Sequence, residues 1–175
     1  INLNDVASLI ITLFLSDQCV AGLKNVKSIV ITPSGMNKSG YLQVSEVVAI
    51  QTNSGKDIAL TSAGSIATSA PSYSKANVAS HTISGIAPDS YPRIYHSRKN
   101  DGTAWLKITF KNKVELDSVS IYGRKDGYYQ RDIYNLSLYD TKGNRIYSRS
   151  NLNAGNKSNV ITAHLTNTDL SSNAK

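Results

Sequence analysis

The sequence predicts an all-β domain, a jelly-roll β-sandwich of about eight strands. Three observations carry this. Only 18% of the 175 residues are charged, against a globular average of about 25%, and the polar remainder is Ser, Asn and Thr, which favour turns and exposed strand faces. Short β-branched and apolar runs recur at strand length between clusters of Gly, Asn, Ser and Pro. No segment carries a convincing helical period. This composition excludes a coiled coil and a helical bundle. With Cys19 the one cysteine, it also excludes a disulfide-stapled miniprotein. The length suits one domain with a sizeable core.

The elements follow in order. Val26 to Thr32 is a β-branched run ended by the turn cluster Pro33-Ser34-Gly35-Met36-Asn37. Tyr41 to Thr52 reads as one long strand, broken by Asn53-Ser54-Gly55-Lys56-Asp57, with Ile58 to Leu60 after it. Thr61 to Gly102 has little periodicity and holds three of the four prolines, the profile of a long functional loop. Trp105 to Phe110 alternates Leu106, Ile108 and Phe110 with Lys107 and Thr109, and Trp105, which opens the strand, reads as core. Val114 to Tyr122, Tyr134 to Tyr139, Arg145 to Ser148 and Asn159 to Thr166 complete the set, with Asp140 to Asn144 as a hairpin turn.

At the start, Val6 to Leu15 is an apolar run of ten residues, too short to cross a bilayer as a helix. No positive charge precedes it. Residues 1–25 thus read as an apolar arm or an uncleaved targeting segment, 26–166 as the domain and 167–175 as a tail. An apolar arm of this kind suits self-association or docking on a neighbouring subunit. Nothing in the sequence predicts a transmembrane span.

Chemistry is sparse. No phosphate loop, dinucleotide fingerprint, nucleophile elbow or paired-His metal motif is present, so the chain does not read as an enzyme. His81, His96 and His164 follow no zinc spacing, and His81 and His164 read as structural or exposed. The net charge of +7 is spread without a run of Lys and Arg, which reads against nucleic acid. Ten aromatics are Tyr, against two Phe and one Trp; a basic, Tyr-rich surface suits glycans. Asn37, Asn135 and Asn156 each open an Asn-x-Ser sequon.

One loop concentrates donors and flat faces: Tyr122-Gly123-Arg124-Lys125-Asp126-Gly127-Tyr128-Tyr129-Gln130-Arg131. Arg124 and Arg131 each offer a planar fork for vicinal hydroxyl or ring oxygens. Asp126 is placed to orient the guanidiniums, and Tyr128 or Tyr129 to stack on the apolar face of a sugar.

Arg124-x-Asp126-x4-Arg131 after a V-x-I-Y strand resembles the signature of the F-type (fucose-binding) lectins, of the discoidin-like, galactose-binding-like superfamily. In that family a His lies in a loop before a Trp-bearing strand, and His96 stands 28 positions before Arg124 and nine before Trp105. The likeness covers roughly Val26 to Thr166, and also resembles repeated F-type-like proteins of large DNA viruses and bacteria. Two adjacent Cys usual after the Asp are here Gly127 and Tyr128, which leaves Tyr128 to supply the apolar contact. The resemblance implies a non-enzymatic carbohydrate-binding module, extracellular or on a virion or cell surface, that takes a fucose- or galactose-like sugar through His96, Arg124, Asp126, Tyr128 and Arg131. It also implies Ca2+. In the corresponding segment, Ala76 to Pro92, Asp89 is the weak candidate ligand, and one carboxylate with backbone carbonyls makes a poor site. The alternative is a structural or assembly subunit, of a virion surface, capsid or extracellular filament, that uses the same jelly roll as a scaffold.

Overall fold

The computed structural model describes residues 21–165; the apolar run Val6 to Leu15, Cys19 and the tail 167–175 lie outside them. The described residues form an all-β, mostly antiparallel fold with no α-helix, only short 3-10 turns. Its strands are β1 (Leu23–Pro33), β2 (Gln43–Val44), β3 (Glu46–Gln51), β4 (Ile66–Ser69), β5 (Tyr95–His96), β6 (Leu106–Tyr122), β7 (Ile133–Tyr139), β8 (Arg145–Asn153) and β9 (Val160–His164). Because β1 begins at Leu23, the domain starts inside the segment read as an arm.

The 17-residue β6 organises the whole. Its first residues, Leu106 to Thr109, lie between β1 and β4, while Ser118 to Tyr122 lie between β3 and β9. Between the halves the ladder with β3 shifts: Gln51 opposes Leu116, Ile50 opposes Ser118, and Asp117 is the extra residue of a β-bulge. Strand side chains alternate faces, so one extra residue flips the inward set. Leu106, Ile108, Phe110 and Leu116 are buried before the bulge, Val119 and Ile121 after it. The shift in parity thus keeps the apolar side chains on the core face, and one strand carries two sets of neighbours, β1 and β4 at its start and β3 and β9 at its end. Ile29, Ile31, Val47, Ala49, Leu136 and Leu138 from β1, β3 and β7 close the core over it.

Several elements depart from the sequence reading. Trp105–Phe110 and Val114–Tyr122 are one strand, because Lys27 Nζ donates to the Phe110 and Lys111 carbonyls (2.7 and 2.9 Å) where the β1 ladder shifts register, and so keeps the stretch extended. Tyr41–Thr52 divides at Ser45 into β2, paired with β5, and β3, paired with β6. Ile58 to Leu60 is not a strand: the Asp57 carboxylate accepts from the Ala49 and Ala59 amides, both at 2.9 Å, and turns the chain there. The stretch read as irregular contains β4, an edge strand with Ile66 exposed. Trp105 is not core. It shares parity with Lys107 and Thr109, opposite the buried Leu106 and Ile108, and is 41% exposed.

The two faces give a paired test. Ile108→Ala removes a fully buried side chain flanked by β1 and β4 and is expected to cost about 2–5 kcal/mol in urea unfolding. Trp105→Ala should cost less than half of that. Equal losses would contradict the assignment of faces along β6.

Candidate functional site

The end of β6, the 123–132 loop, the β2–β5 pair and the 84–93 segment meet at one end of the fold. Ser45 joins two of them: its amide donates to the Tyr122 carbonyl (2.9 Å) and its hydroxyl to that of Gly123 (2.7 Å). Asn37, which opens a sequon, is buried and holds another pair, its amide donating to the carbonyls of Tyr41 (2.8 Å) and Arg131 (3.0 Å). The Lys125 amide bonds the Asp89 carbonyl at 2.9 Å, which ties the 123–132 loop to the 84–93 segment.

Four of the five predicted residues are bound together directly. Arg124 is 7% exposed and grips Asp126 with two parallel hydrogen bonds, Nε to Oδ1 at 2.9 Å and Nη2 to Oδ2. This bidentate bond holds the Asp126 carboxyl below the usual carboxylate range. Tyr128 sits in the left-handed region (φ 70°, ψ 36°), after Gly127 at φ 103°. That turn lays its ring against both guanidiniums, 4.3 Å from Arg124 Cζ and 4.7 Å from that of Arg131. Arg131 has no ion pair with Asp126; its Nε is buried without a hydrogen-bond partner, and its guanidinium also lies 5.2 Å over the Tyr41 ring.

His96, the fifth, arrives on β5. Its ring lies 4.8 Å from both Tyr41 and Tyr73 and 6.5 Å from Tyr91, whose ring in turn carries Arg124 Cζ at 5.3 Å. Nδ1 is 2.8 Å from the Ser97 carbonyl. A carbonyl only accepts, so Nδ1 carries the proton and the neutral ring presents Nε2 as an acceptor. Burial lowers the His96 pKa first, and the charges of Arg131 and Arg124 lower it further, which favours that neutral form.

Beneath the loop is a polar floor that sequence reasoning missed. Asp132 is fully buried, with Oδ2 unpartnered and Oδ1 accepting from Tyr134 Oη at 3.3 Å. Burial pushes its carboxyl up to about 7, against the lowering effects of the Tyr134 hydroxyl and the Arg124 charge. The single Tyr134 hydroxyl proton is shared with the Gln43 carbonyl, the closer acceptor at 2.6 Å. Opposite His96 in the ladder, Gln43 has both side-chain amide atoms buried without a partner. The Asp132 carboxyl fits only because residue 123 is glycine, since a Cβ there would stand 2.4 Å from Asp132 Cγ. Tyr41, Tyr73 and Tyr91 were also missed; only the excess of Tyr hinted at them.

Asp89 does not gather cation ligands. Its carboxylate pairs with Arg93 at 3.0 Å and accepts from the Ser90 amide at 2.7 Å. Among the described residues no three His, Cys, Asp or Glu side chains converge on a metal position. The Asp89 carboxylate is thus spent on Arg93 and Ser90 and not gathered into a cluster of acids. The remaining buried acid, Glu46, plays a different part. It accepts from the Ser84 amide and hydroxyl and the Gly85 amide (2.9–3.2 Å) and fixes the start of the segment that bears Tyr91.

The chain matches no family model, no curated protein and no solved structure.

Asp132 generates two expectations. Its folded pKa of about 7 lies above the ordinary carboxyl value of 3.8, so the folded state binds the extra proton and stability falls as pH rises between them. The melting-temperature advantage of the wild type over Asp132→Asn should therefore be larger at pH 5 than at pH 8; a difference independent of pH would refute the buried carboxyl. Gly123→Ala drives a Cβ into that carboxyl and should cost about 1–3 kcal/mol by urea unfolding.

Proposed function

We propose that this domain is a non-enzymatic lectin-like module on a jelly-roll scaffold, which holds a terminal fucose- or galactose-like sugar. The observation that carries the reading is the convergence of one ring acceptor, His96, with two guanidiniums, Arg124 and Arg131, inside a wall of tyrosines. Sugar hydroxyls both donate and accept, and a site with donors and an acceptor in fixed directions reads their arrangement. In this reading His96 Nε2 accepts from one hydroxyl. The free edges of Arg124 and Arg131 donate to neighbouring hydroxyl or ring oxygens, with Asp126 fixing the Arg124 plane. Tyr128 and Tyr91, both about half exposed, offer flat faces to the apolar side of the ring. A few net hydrogen bonds of about 1 kcal/mol each, with one stacking contact, give a single-site Kd on the order of 0.1–1 mM. Useful avidity then comes from multivalent display.

A glycan array of the intact chain beside Arg131→Ala tests this. Arg131 is the cleaner substitution, because removing Arg124 would orphan Asp126. Selective binding to fucose- or galactose-terminated glycans, lost in the variant while its melting temperature holds, is the expected result. Silence from the folded wild type would sink the proposal. Binding should also weaken below the ordinary histidine value of about 6.5, as protonation removes the Nε2 acceptor.

A further inference from the structure

A second concavity lies beside this site. About 330 Å³ in volume, it is walled by Ala70, Pro71, Arg98, Lys99, Thr103 and Trp105. Two of its lining residues, Pro71 and Arg98, share a face with His96. Residues 71–73 run antiparallel to 96–98: Ser72 bridges Ser97, the Tyr73 amide bonds the His96 carbonyl and the Arg98 amide bonds the Pro71 carbonyl, both at 2.8 Å. Alternation then puts Pro71, Tyr73, His96 and Arg98 on one face, as the 4.8 Å approach of the Tyr73 and His96 rings bears out. Pro71 is two extended residues from Tyr73, about 7 Å along the strand.

The lining chemistry is that of an acidic carbohydrate site. Trp105 presents an indole 41% exposed, a flat apolar face of the kind that stacks on a sugar ring. Arg98 and Lys99 supply two positive charges and the lining holds no carboxylate. The nearest one, Asp101, is 3.9 Å from Lys99 Nζ and is already engaged by the Thr103 amide and hydroxyl. Arg98 spends only Nε, on the Ser72 carbonyl at 3.4 Å, so its Nη edge remains for a ligand anion. A guanidinium edge and an ammonium beside an indole match a ring that carries a sulfate or carboxylate.

We propose that this cleft is a second subsite, which takes a sulfated or carboxylated sugar of the same glycan whose terminal residue sits among His96, Arg124 and Arg131. It rests on the lectin reading above and adds the ligand class, an acidic oligosaccharide. Tyr73 lies on the path between the two positions and lines it.

Trp105 is the one tryptophan of the chain, so its emission reports on this cleft without labelling. The experiment titrates the intact chain with L-fucose, a sulfated fucose tetrasaccharide and its desulfated counterpart, by fluorescence and calorimetry. L-fucose should leave Trp105 emission unchanged. The sulfated tetrasaccharide should shift it and bind at least about tenfold more tightly than the desulfated one, the scale of one charge-assisted contact. Arg98→Ala with Lys99→Ala, both exposed and outside the core, should erase that preference and leave the desulfated affinity intact. Equal affinity for the two tetrasaccharides, or a preference that survives the double variant, overturns the subsite. So does poly-L-glutamate shifting Trp105 as strongly, since charge without a sugar ring then suffices. The two readings fail separately: an Arg131→Ala variant that binds the desulfated sugar like the wild type defeats the terminal-sugar site. A Trp105 response lost with Arg98 and Lys99 still upholds the cleft.

Discussion

The bulge at Asp117 is the constraint on which the rest of the molecule depends. Strict alternation from Leu106 to Tyr122 would turn Val119 and Ile121 away from the core. The extra residue restores them to the core face, along the stretch where β6 pairs with β3 and β9. Two polar contacts hold the bulge: Thr52 Oγ1 donates to the Asp117 carboxylate and the Leu165 amide to the Asp117 carbonyl, both at 2.8 Å. Five residues later the strand ends, on the layer that also carries Ser45. The Arg-bearing loop is therefore delivered to β2 and β5, and so to His96, by the half of β6 that the bulge holds in register with β3.

What the loop then builds is costly in isolation. A guanidinium 7% exposed loses most of its hydration, and an unpaired buried cation would be strongly destabilising. The structure offsets this without neutralising both cations. Arg124 has a bidentate carboxylate, while Arg131 has only the Tyr41 and Tyr128 faces and the distant field of Asp132. Each aromatic contact is worth about 0.5–2 kcal/mol according to its desolvation. Asp132 cannot ionise freely, because its own burial opposes it. The result is a positive, under-satisfied pair of forks beside a neutral imidazole, poised for oxygen ligands.

How much of this was legible follows from the range of the physics. The loop motif is local, and Arg124, Asp126, Tyr128 and Arg131 do come together as spacing suggested. His96 was legible only through the resemblance. The tyrosines at 41, 73 and 91 were not, since they reach the site through long-range pairings such as Gln43 with His96 and Pro71 with Arg98. Asn37 looked like a sequon because a local triplet cannot reveal that its amide is spent on two carbonyls, one of them 94 residues away. Asp132 was hidden for the same reason: its neighbour Gly123 makes room for it from the far side of the loop.

Trp105 carries the lesson furthest. Its misreading came from residue type, since a large aromatic opening an apolar strand suggests core, while the alternation of Leu106, Ile108 and Phe110 already placed it outward. An indole left 41% exposed on a strand parity shared with Lys107 and Thr109 gains little from folding. Its apolar surface is kept in water beside Arg98 and Lys99. Such a surface lowers free energy only when something covers it. An apolar protein face laid over it would have to leave these cations a way to water or bury them unpaired. The ligand class proposed for the cleft, a ring with one apolar side and an anionic substituent, would meet both halves at once.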